Sequence, residues 1–262
     1  MLHLILLTKT YNIDDYNAWL KYHSKLNCKI HVINNDSSCS LDSSNLASYE
    51  EIHGWPDQYA LYDKIFKENR YNFDHDDYIL TIDDDEYLWY DSTRFESIES
   101  AIQHYMSTTS FSLLLPQILM STHHIRKHRD KILPLYSLYR RNDLSSQGKA
   151  IVQYDVDSKY QYKHNKIEQG HVPFINNLRW SNVVCDKAGV HLSNTTYGLT
   201  DYQCGLRLYH YHIKSLDDWK IKYERGSAAV KTQWYDRDIT KNLAYDHYEI
   251  QDLTMYNEFR NV

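Results

Sequence analysis

Four consecutive acids follow one apolar segment of the sequence. Tyr78–Ile82 has the length and composition of a buried strand. The acids that come directly after it are Asp83, Asp84, Asp85 and Glu86. Because side chains alternate along a strand, we expect Asp83 and Asp85 to share one side and Asp84 to point away. Paired carboxylates suit Mg²⁺ or Mn²⁺, and a bound cation would relieve their repulsion. The alternative is a solvated acidic turn.

The first third of the chain should position these acids. Its predicted elements are strands at Leu2–Leu7, Lys29–Ile33 and Tyr78–Ile82, and helices at about Asp14–Asn27 and from Trp55 onward. Alternating strands and helices predict a parallel sheet, and ligands bind at the carboxyl ends of such strands. The polar loops that begin at Thr8, Asn34 and Asp83 are therefore expected to meet at one crevice.

The rest of the chain has fewer clear elements. Thr93 and Glu96 have the spacing of a capping box, so a third helix should begin at Thr93. The later elements are expected as strands at Phe111–Leu115 and Leu206–Tyr211, a helix with Ser215 as its N-cap, and helical character around Leu243–Met255. The C-terminal tail is expected to pack on the core.

Composition limits the class of protein. The chain has 262 residues and a net charge of −6, which argues against nucleic acid as the main partner. Its four cysteines are scattered, without a CxxC pair, which favours a reducing compartment over a zinc site. The apolar start is too short for a membrane span and lacks the basic residues of a signal peptide. We expect a cytoplasmic protein, with peripheral contact at a membrane left open.

Several short motifs occur in a characteristic order. They are Trp19-Leu20-Lys21-Tyr22-His23, Asn35-Asp36-Ser37-Ser38, Gln58 at the start of the second helix, Asp83-x-Asp85-Glu86-Tyr87-Leu88, His210-Tyr211 with Lys214-Ser215, and Arg225-Gly226 with Ala228. In order and spacing they resemble the nucleotide-sugar glycosyltransferases of the GT-A fold, more narrowly the family 2-like and family 92 group. The resemblance covers roughly residues 1–230 and is poorest from about 121 to 199, where the acceptor site usually lies.

The resemblance implies a fold and a domain organisation. The fold would be α/β and Rossmann-like, with a mixed, mostly parallel sheet flanked by helices in a single domain of residues 1–262. Residues 1–120 would form the nucleotide-sugar-binding half and residues 121–230 an elaborated acceptor-binding half. A C-terminal helical tail would occupy residues 231–262.

The resemblance also implies a reaction. A sugar would move from a nucleotide-sugar donor, expected to be a UDP-sugar, to a glycan or glycolipid acceptor, with inversion. Mn²⁺ or Mg²⁺ would be held by Asp83, Asp85 and His210, with His212 as an alternative to His210. The expected nucleotide-sugar contacts are Thr8, Asn12, Asp36, Gln58, Asp84, Lys214 and Arg225.

The catalytic base is the least defined residue of this scheme. The candidates in the acceptor half are Glu168, His171, Asp186 and His191, and Asp186 or Glu168 is expected, because a carboxylate is the usual choice. Two other classes stay open: a metal-dependent phosphoesterase or nuclease using the same acids, and a non-catalytic carbohydrate-binding module. The first class usually gathers more ligands and often a second metal. Binding of UDP with Mn²⁺ distinguishes the transferase from both.

Overall fold

The computed structural model describes residues 1–54, 56–106, 112–115, 117–121, 132–140, 149–154, 160–161, 174–175, 178–179, 205–211, 215, 217–218, 221 and 250–260. It is an α/β structure with two mixed sheets flanked by helices. The helices are α1 (Ile13–Ser24), α2 (Gln58–Lys67), α3 (Ile98–Tyr105), α4 (Leu133–Tyr136) and α5 (Thr254–Phe259). The strands are β1 (Leu2–Thr8), β2 (Lys29–Asn35), β3 (Ser48–Ile52), β4 (Tyr78–Ile82), β5 (Glu86–Tyr90), β6 (Ser112–Leu114), β7 (Gln117–Ser121), β8 (Tyr139–Arg140), β9 (Ala150–Gln153), β10 (Tyr160–Gln161), β11 (Phe174–Ile175), β12 (Leu178–Arg179), β13 (Leu206–His210) and β14 (Ile250–Gln251). None of the described helices is long and apolar enough to cross a membrane.

The first sheet has six strands in the order β3-β2-β1-β4-β9-β6. Strands β3, β2, β1 and β4 run parallel, as the alternation of strands and helices predicts. Strand β9 runs antiparallel to both β4 and β6. The sheet is therefore mixed, and the prediction of a mostly parallel sheet is wrong. The short apolar segment Ala150–Gln153 fits a buried strand in either direction, so its pattern did not reveal the direction.

The second sheet has five strands in the order β14-β8-β7-β13-β5 and is also mixed. Its edge strand β5 begins only four residues after β4 ends in the first sheet. The acids therefore lie where the chain passes from one sheet to the other. Strand β13 pairs antiparallel with β5, in a register that places His210 opposite Glu86.

Two helix predictions needed correction. Helix α3 begins after Ser97, whose side chain accepts from the backbone N–H of Ser100, with the reciprocal bond also present. Thr93 instead donates from its hydroxyl and its backbone N–H to the carboxylate of Asp91 in a local turn, so it caps no helix. In the tail, residues 243–249 of the predicted helix lie outside the described part of the chain, Ile250–Gln251 is a strand, and the described helix begins at Thr254.

The C-terminal helix packs on the main hydrophobic core, as the sequence predicts for the tail. Met255 and Phe259 of α5 are buried there with Trp19, Tyr87 and Tyr211. The rings of Tyr87 and Tyr211 meet edge to face at 5.4 Å, and Phe259 contacts Tyr87 in the same way at 5.6 Å. Such aromatic pairs add about 1 kcal/mol each beyond the area they bury. This core lies directly beneath β5 and β13.

A chain of buried polar side chains crosses the first sheet near the amino ends of its parallel strands. His3 Nε2 lies 3.0 Å from a carboxylate oxygen of Asp77, and His3 Nδ1 lies 2.9 Å from His31 Nε2. His31 Nδ1 lies 2.8 Å from the hydroxyl of Ser48. A carboxylate accepts, so neutral rings donate from His3 to Asp77 and from His31 to His3, while Ser48 donates to His31. Burial lowers the pKa of His31 to about 3 and lowers that of His3 as well.

Acid should destabilise the protein through His31. The unfolded chain protonates this histidine near pH 6.5, whereas the folded chain does so only near its depressed pKa of about 3. The unfolded state therefore binds more protons between these values, and the free energy of unfolding falls as the pH falls through that window. We expect protonation linked to His31 to lower the free energy of unfolding by about 2 kcal/mol between about pH 7 and pH 5. Urea unfolding at a series of pH values measures this loss.

The substitution His31→Gln should reduce this acid sensitivity, because glutamine takes up no proton. The control is His53→Gln, at a side chain that is 79% exposed. The free energy of unfolding of His53→Gln should fall with decreasing pH as steeply as that of the wild type. Equal acid losses in the wild type and His31→Gln would show that His31 is not responsible.

Candidate functional site

The acids form the connection between the two sheets. Asp83, Asp84 and Asp85 lie in a turn after β4, which the backbone N–H of Glu86 closes by donating to the carbonyl of Asp83 at 3.1 Å. The carbonyl of Asp85 accepts from the backbone N–H of Tyr211 at 2.8 Å, which ties the turn to the end of β13. Because the acids lie in a turn, strand alternation does not decide where their side chains point. The expectation that the acids continue the strand is therefore wrong, whereas the position of Asp83 and Asp85 on one side stays a prediction.

Glu86 is the best connected of the four acids, and its side chain is almost completely buried. Its carboxylate accepts from the backbone N–H of Asp83 at 3.0 Å and from the side-chain amide of Gln117 at 3.1 Å. Its Oε2 also lies 3.4 Å from Lys149 Nζ. Burial raises the pKa of Glu86, against the lowering effect of Lys149. Glu86 therefore fixes the turn to β7 of the second sheet and β9 of the first.

Lys149 brings a positive charge to the turn from the start of β9. Its Nζ lies 3.0 Å from Asp83 Oδ2, and its side chain is only 3% exposed. Its carbonyl accepts from the backbone N–H of Leu115 at 2.8 Å, which holds the lysine in place. Lys149 was not expected from the sequence as part of the site. The available signal was a lysine joined to the apolar segment Ala150–Val152, where a buried cation needs anionic partners.

Asp85 and His210 form the second pair of the site. His210 Nε2 lies 3.6 Å from Asp85 Oδ1, and His210 Nδ1 lies 3.9 Å from Glu86 Oε1. The side chain of Asp85 is 5% exposed and that of His210 is 17% exposed. The register of β13 against β5 brings them together, because it places His210 opposite Glu86.

The polar loops at the carboxyl ends of β1, β2 and β4 meet, as the sequence predicts. The hydroxyl of Thr8 donates to Asp84 Oδ2 at 2.7 Å. Thr10, two residues further along the same loop, accepts at its carbonyl from the backbone N–H of Ser38 at 3.0 Å. Its own N–H donates to the hydroxyl of Ser37. Thr8 and Asp84 are therefore joined beside Asp83 and Asp85.

Three other expected contacts have local partners. The side-chain oxygen of Asn12 caps α1 by accepting from two backbone N–H groups, and its amide donates to Asp15. Asp36 accepts from the backbone N–H of Gly54 at 3.2 Å and lies 2.6 Å from His53 Nδ1, which lowers its pKa. The amide of Gln58 donates to the hydroxyl of Tyr62 one turn later. Nucleotide binding by Asn12, Asp36 and Gln58 stays a prediction.

Several expected residues lie outside the described parts of the chain. They are Lys214, Arg225, His212 and the two candidate bases, Asp186 and Glu168. Ser215 is described, and its hydroxyl accepts from the backbone N–H of Asp218 at 3.2 Å, as expected for an N-cap. Asp218 also accepts from the hydroxyl of Tyr11 at 2.6 Å. The loop after β1 therefore contacts the C-terminal part of the chain.

The motif at the end of α1 holds the strand that begins with Glu86. Trp19 Nε1 donates to the carbonyl of Glu86 at 2.8 Å, and the hydroxyl of Tyr22 donates to the carbonyl of Leu88 at 2.9 Å. Both donors are buried. Since β5 is an edge strand, its outer backbone groups need such partners. The motif thus positions the acids by satisfying the backbone of β5.

His23 completes this attachment with both ring nitrogens. Nε2 accepts from the backbone N–H of Leu88 at 3.2 Å, and Nδ1 lies 2.9 Å from the carbonyl of Trp19. A carbonyl accepts, so Nδ1 carries the proton and the ring is neutral. Burial lowers the pKa of His23 to about 3, which agrees with a neutral ring.

The substitution Tyr22→Phe should destabilise the protein by about 1–2 kcal/mol, because the carbonyl of Leu88 loses its buried donor. Chemical denaturation measures the difference. Tyr90→Phe is the matched control in β5, since the Tyr90 ring is only partly buried. It should change the free energy of unfolding by less than about 0.5 kcal/mol. Equal effects of the two substitutions would contradict the proposed role of Tyr22.

The donor atoms of the site fit a divalent metal with few protein ligands. Asp85 and His210 offer one carboxylate oxygen and one imidazole nitrogen, both of which Mn²⁺ accepts. Asp83, the third expected ligand, is paired with Lys149. Among the described residues, no group of three or more His, Cys, Asp or Glu side chains is arranged to hold a metal ion. A metal held by Asp85 and His210 alone would need further ligands, which phosphate oxygens supply in many Mg²⁺ sites.

No protein-family model matches the sequence, and no curated protein matches it either. The functional inference therefore depends on the residues of the site and on the sequence motifs.

Proposed function

We propose that this protein is a metal-dependent glycosyltransferase with a GT-A fold in a single domain. It would move a sugar from a nucleotide-sugar donor, expected to be a UDP-sugar, to a glycan or glycolipid acceptor. One observation carries the proposal. The acidic turn after β4 faces His210 of β13 and the end of β1, whose following loop contacts the loop after β2, at the sheet edge where α/β enzymes bind nucleotides.

The donor would lie across the carboxyl ends of β1, β2 and β4. Thr8 and Asp84 are already joined there, and Asn12, Asp36 and Gln58 flank the same edge. Lys214 and Arg225 are proposed to neutralise diphosphate oxygens. Asp85 and His210 would hold Mn²⁺ or Mg²⁺, and we propose Asp83 as a further acidic contact of this site. Glu86 and α1 keep the turn in place.

The chemical step requires charge stabilisation on the leaving nucleoside diphosphate. A divalent metal supplies positive charge there when it is bound. Asp85 and His210 orient the diphosphate side of the donor, and a base in the acceptor half takes the proton of the attacking hydroxyl. Asp186 or Glu168 is proposed for that base, with inversion at the sugar carbon. We place the enzyme in the cytoplasm, with peripheral contact at a membrane where the acceptor is a glycolipid.

A donor screen tests this proposal. The full chain with Mn²⁺ is offered a panel of nucleotide sugars, and released nucleoside diphosphate is measured with and without a chelator. We expect slow hydrolysis of one donor that the chelator and Asp85→Asn both abolish. Bis(p-nitrophenyl) phosphate is the comparison substrate for a phosphoesterase. Cleavage of that diester without release from any nucleotide sugar would overturn the proposal.

A further inference from the structure

A buried lysine makes contact with two of the four acids of the turn. Lys149 Nζ lies 3.0 Å from Asp83 Oδ2 and 3.4 Å from Glu86 Oε2. The sequence positions of Lys149 and Asp83 differ by 66 residues, so the contact depends on the pairing of β9 with β4. A lysine that is 3% exposed is retained only where anionic partners compensate for its lost hydration. Lys149 is therefore part of the charge balance of the site.

Lys149 and a metal ion would compete for the same carboxylate. Two cations bound to one oxygen repel each other, and water weakens this repulsion only in part here, because Lys149 is 3% exposed although Asp83 is 37% exposed. Asp83 Oδ2 already has the ammonium group of Lys149 at hydrogen-bond distance. Asp85 Oδ1, in contrast, faces the imidazole of His210 at 3.6 Å, and an imidazole nitrogen is itself a metal ligand. The two aspartates of the motif thus have different surroundings.

We propose that Lys149 is a positioning residue that neutralises Asp83 and Glu86 and leaves Asp85 and His210 to hold the divalent metal. This inference rests on the proposed function and assigns the metal within that site. Lys149 acts through Asp83: it occupies the position in which a metal would otherwise join the two aspartates. The two aspartates should therefore contribute unequally to metal binding.

Titration of the full-length protein with Mn²⁺ tests the proposal, with free Mn²⁺ measured by electron paramagnetic resonance in the absence and presence of UDP. We expect Asp85→Asn and His210→Asn each to weaken Mn²⁺ binding about tenfold or more. The Mn²⁺ affinity of Asp83→Asn should stay within about threefold of the wild-type value, because the Asp83 carboxylate of the wild type interacts with Lys149. Asp63→Asn is the control, since Asp63 forms an ion pair with Lys67 on the exposed side of α2.

The substitution Lys149→Met tests the lysine itself. With the ammonium group removed, the carboxylate of Asp83 no longer has this cation beside it, and the negative charge of the turn increases. Asp83 can then contribute to Mn²⁺ binding. Mn²⁺ binding without UDP should then strengthen about threefold or more. Adding Asp83→Asn to Lys149→Met should return the affinity to the wild-type value. Lys67→Met, which breaks the exposed pair, should leave Mn²⁺ binding unchanged.

The role of Lys149 and the proposed transferase function are contradicted by different results. Loss of Mn²⁺ binding in Asp83→Asn as complete as in Asp85→Asn would overturn the role of Lys149, while the proposed transferase would stand. The aspartate and histidine variants decide this even if Lys149→Met does not fold. Absence of Mn²⁺ binding in the wild type, with and without UDP, would overturn both the metal assignment and the metal-dependent transferase.

Discussion

Replacing Asp85 by asparagine should reduce sugar transfer about 100-fold or more, the scale on which enzymes lose a group that stabilises transition-state charge. Asp85 pairs with His210 at 3.6 Å, and only its side chain changes in this variant. Its carbonyl should still accept from the backbone N–H of Tyr211. We therefore expect a folded protein with little activity. Initial rates with the donor found in the screen measure the loss.

Two further variants make this result specific. His210→Asn should show a loss similar to that of Asp85→Asn, because both residues belong to the same pair. The rate of sugar transfer by Asp63→Asn, a substitution on the exposed face of α2, should stay within about twofold of the wild-type rate. Activity of Asp85→Asn close to that of Asp63→Asn would remove Asp85 from the catalytic site. Thermal unfolding of each variant separates loss of function from loss of fold.

Replacing Lys149 by methionine should destabilise the protein by about 2–3 kcal/mol, because Asp83 and Glu86 both lose the ammonium group that interacts with them. Glu86 is almost fully buried and cannot recover hydration in place of the lost lysine. Net stabilities are about 5–15 kcal/mol, so this is a large part of the total. Urea unfolding at neutral pH measures the change.

The exposed pair of Lys67 and Asp63 provides the control. Lys67 is 53% exposed, and Lys67→Met should cost less than about 1 kcal/mol. Adding Glu86→Gln to Lys149→Met replaces the buried acid by a neutral amide, so the free energy of unfolding of the double variant should no longer fall as the pH rises through the raised pKa of Glu86. An unfolding midpoint of Lys149→Met equal to that of Lys67→Met would show that Lys149 is not a compensated buried cation.

The sheet edge that carries the acids was predictable because its strands are continuous apolar segments. Leu2–Leu7 and Tyr78–Ile82 have few polar residues, which identifies parallel strands buried on both faces. The polar residues that follow such strands must lie at one edge, and the bond between Thr8 and Asp84 agrees with that expectation. Strand β5 was missed, because the acids were interpreted as the end of a strand rather than as a turn between two strands.

The remaining parts of the site depend on contacts between distant segments. Lys149 is buried only because β9 lies beside β4, and a local pattern does not reveal the partner or direction of a strand. His210 was expected from the resemblance, but its position opposite Glu86 follows from the register of β13. Trp19 and Tyr22 were recognised as parts of a motif. Their hydrogen bonds to the backbone of β5 give that motif a physical role.

Metal-dependent binding of UDP tests the central claim most directly. Isothermal titration of UDP into the full chain should show binding that strengthens about tenfold or more with Mn²⁺, because the diphosphate completes the coordination. Asp85→Asn should lose this gain and Asp63→Asn should keep it. No binding of UDP, GDP or CMP, with or without Mn²⁺, would contradict the nucleotide-sugar transferase, and the acids from Asp83 to Glu86 would then be a structural turn.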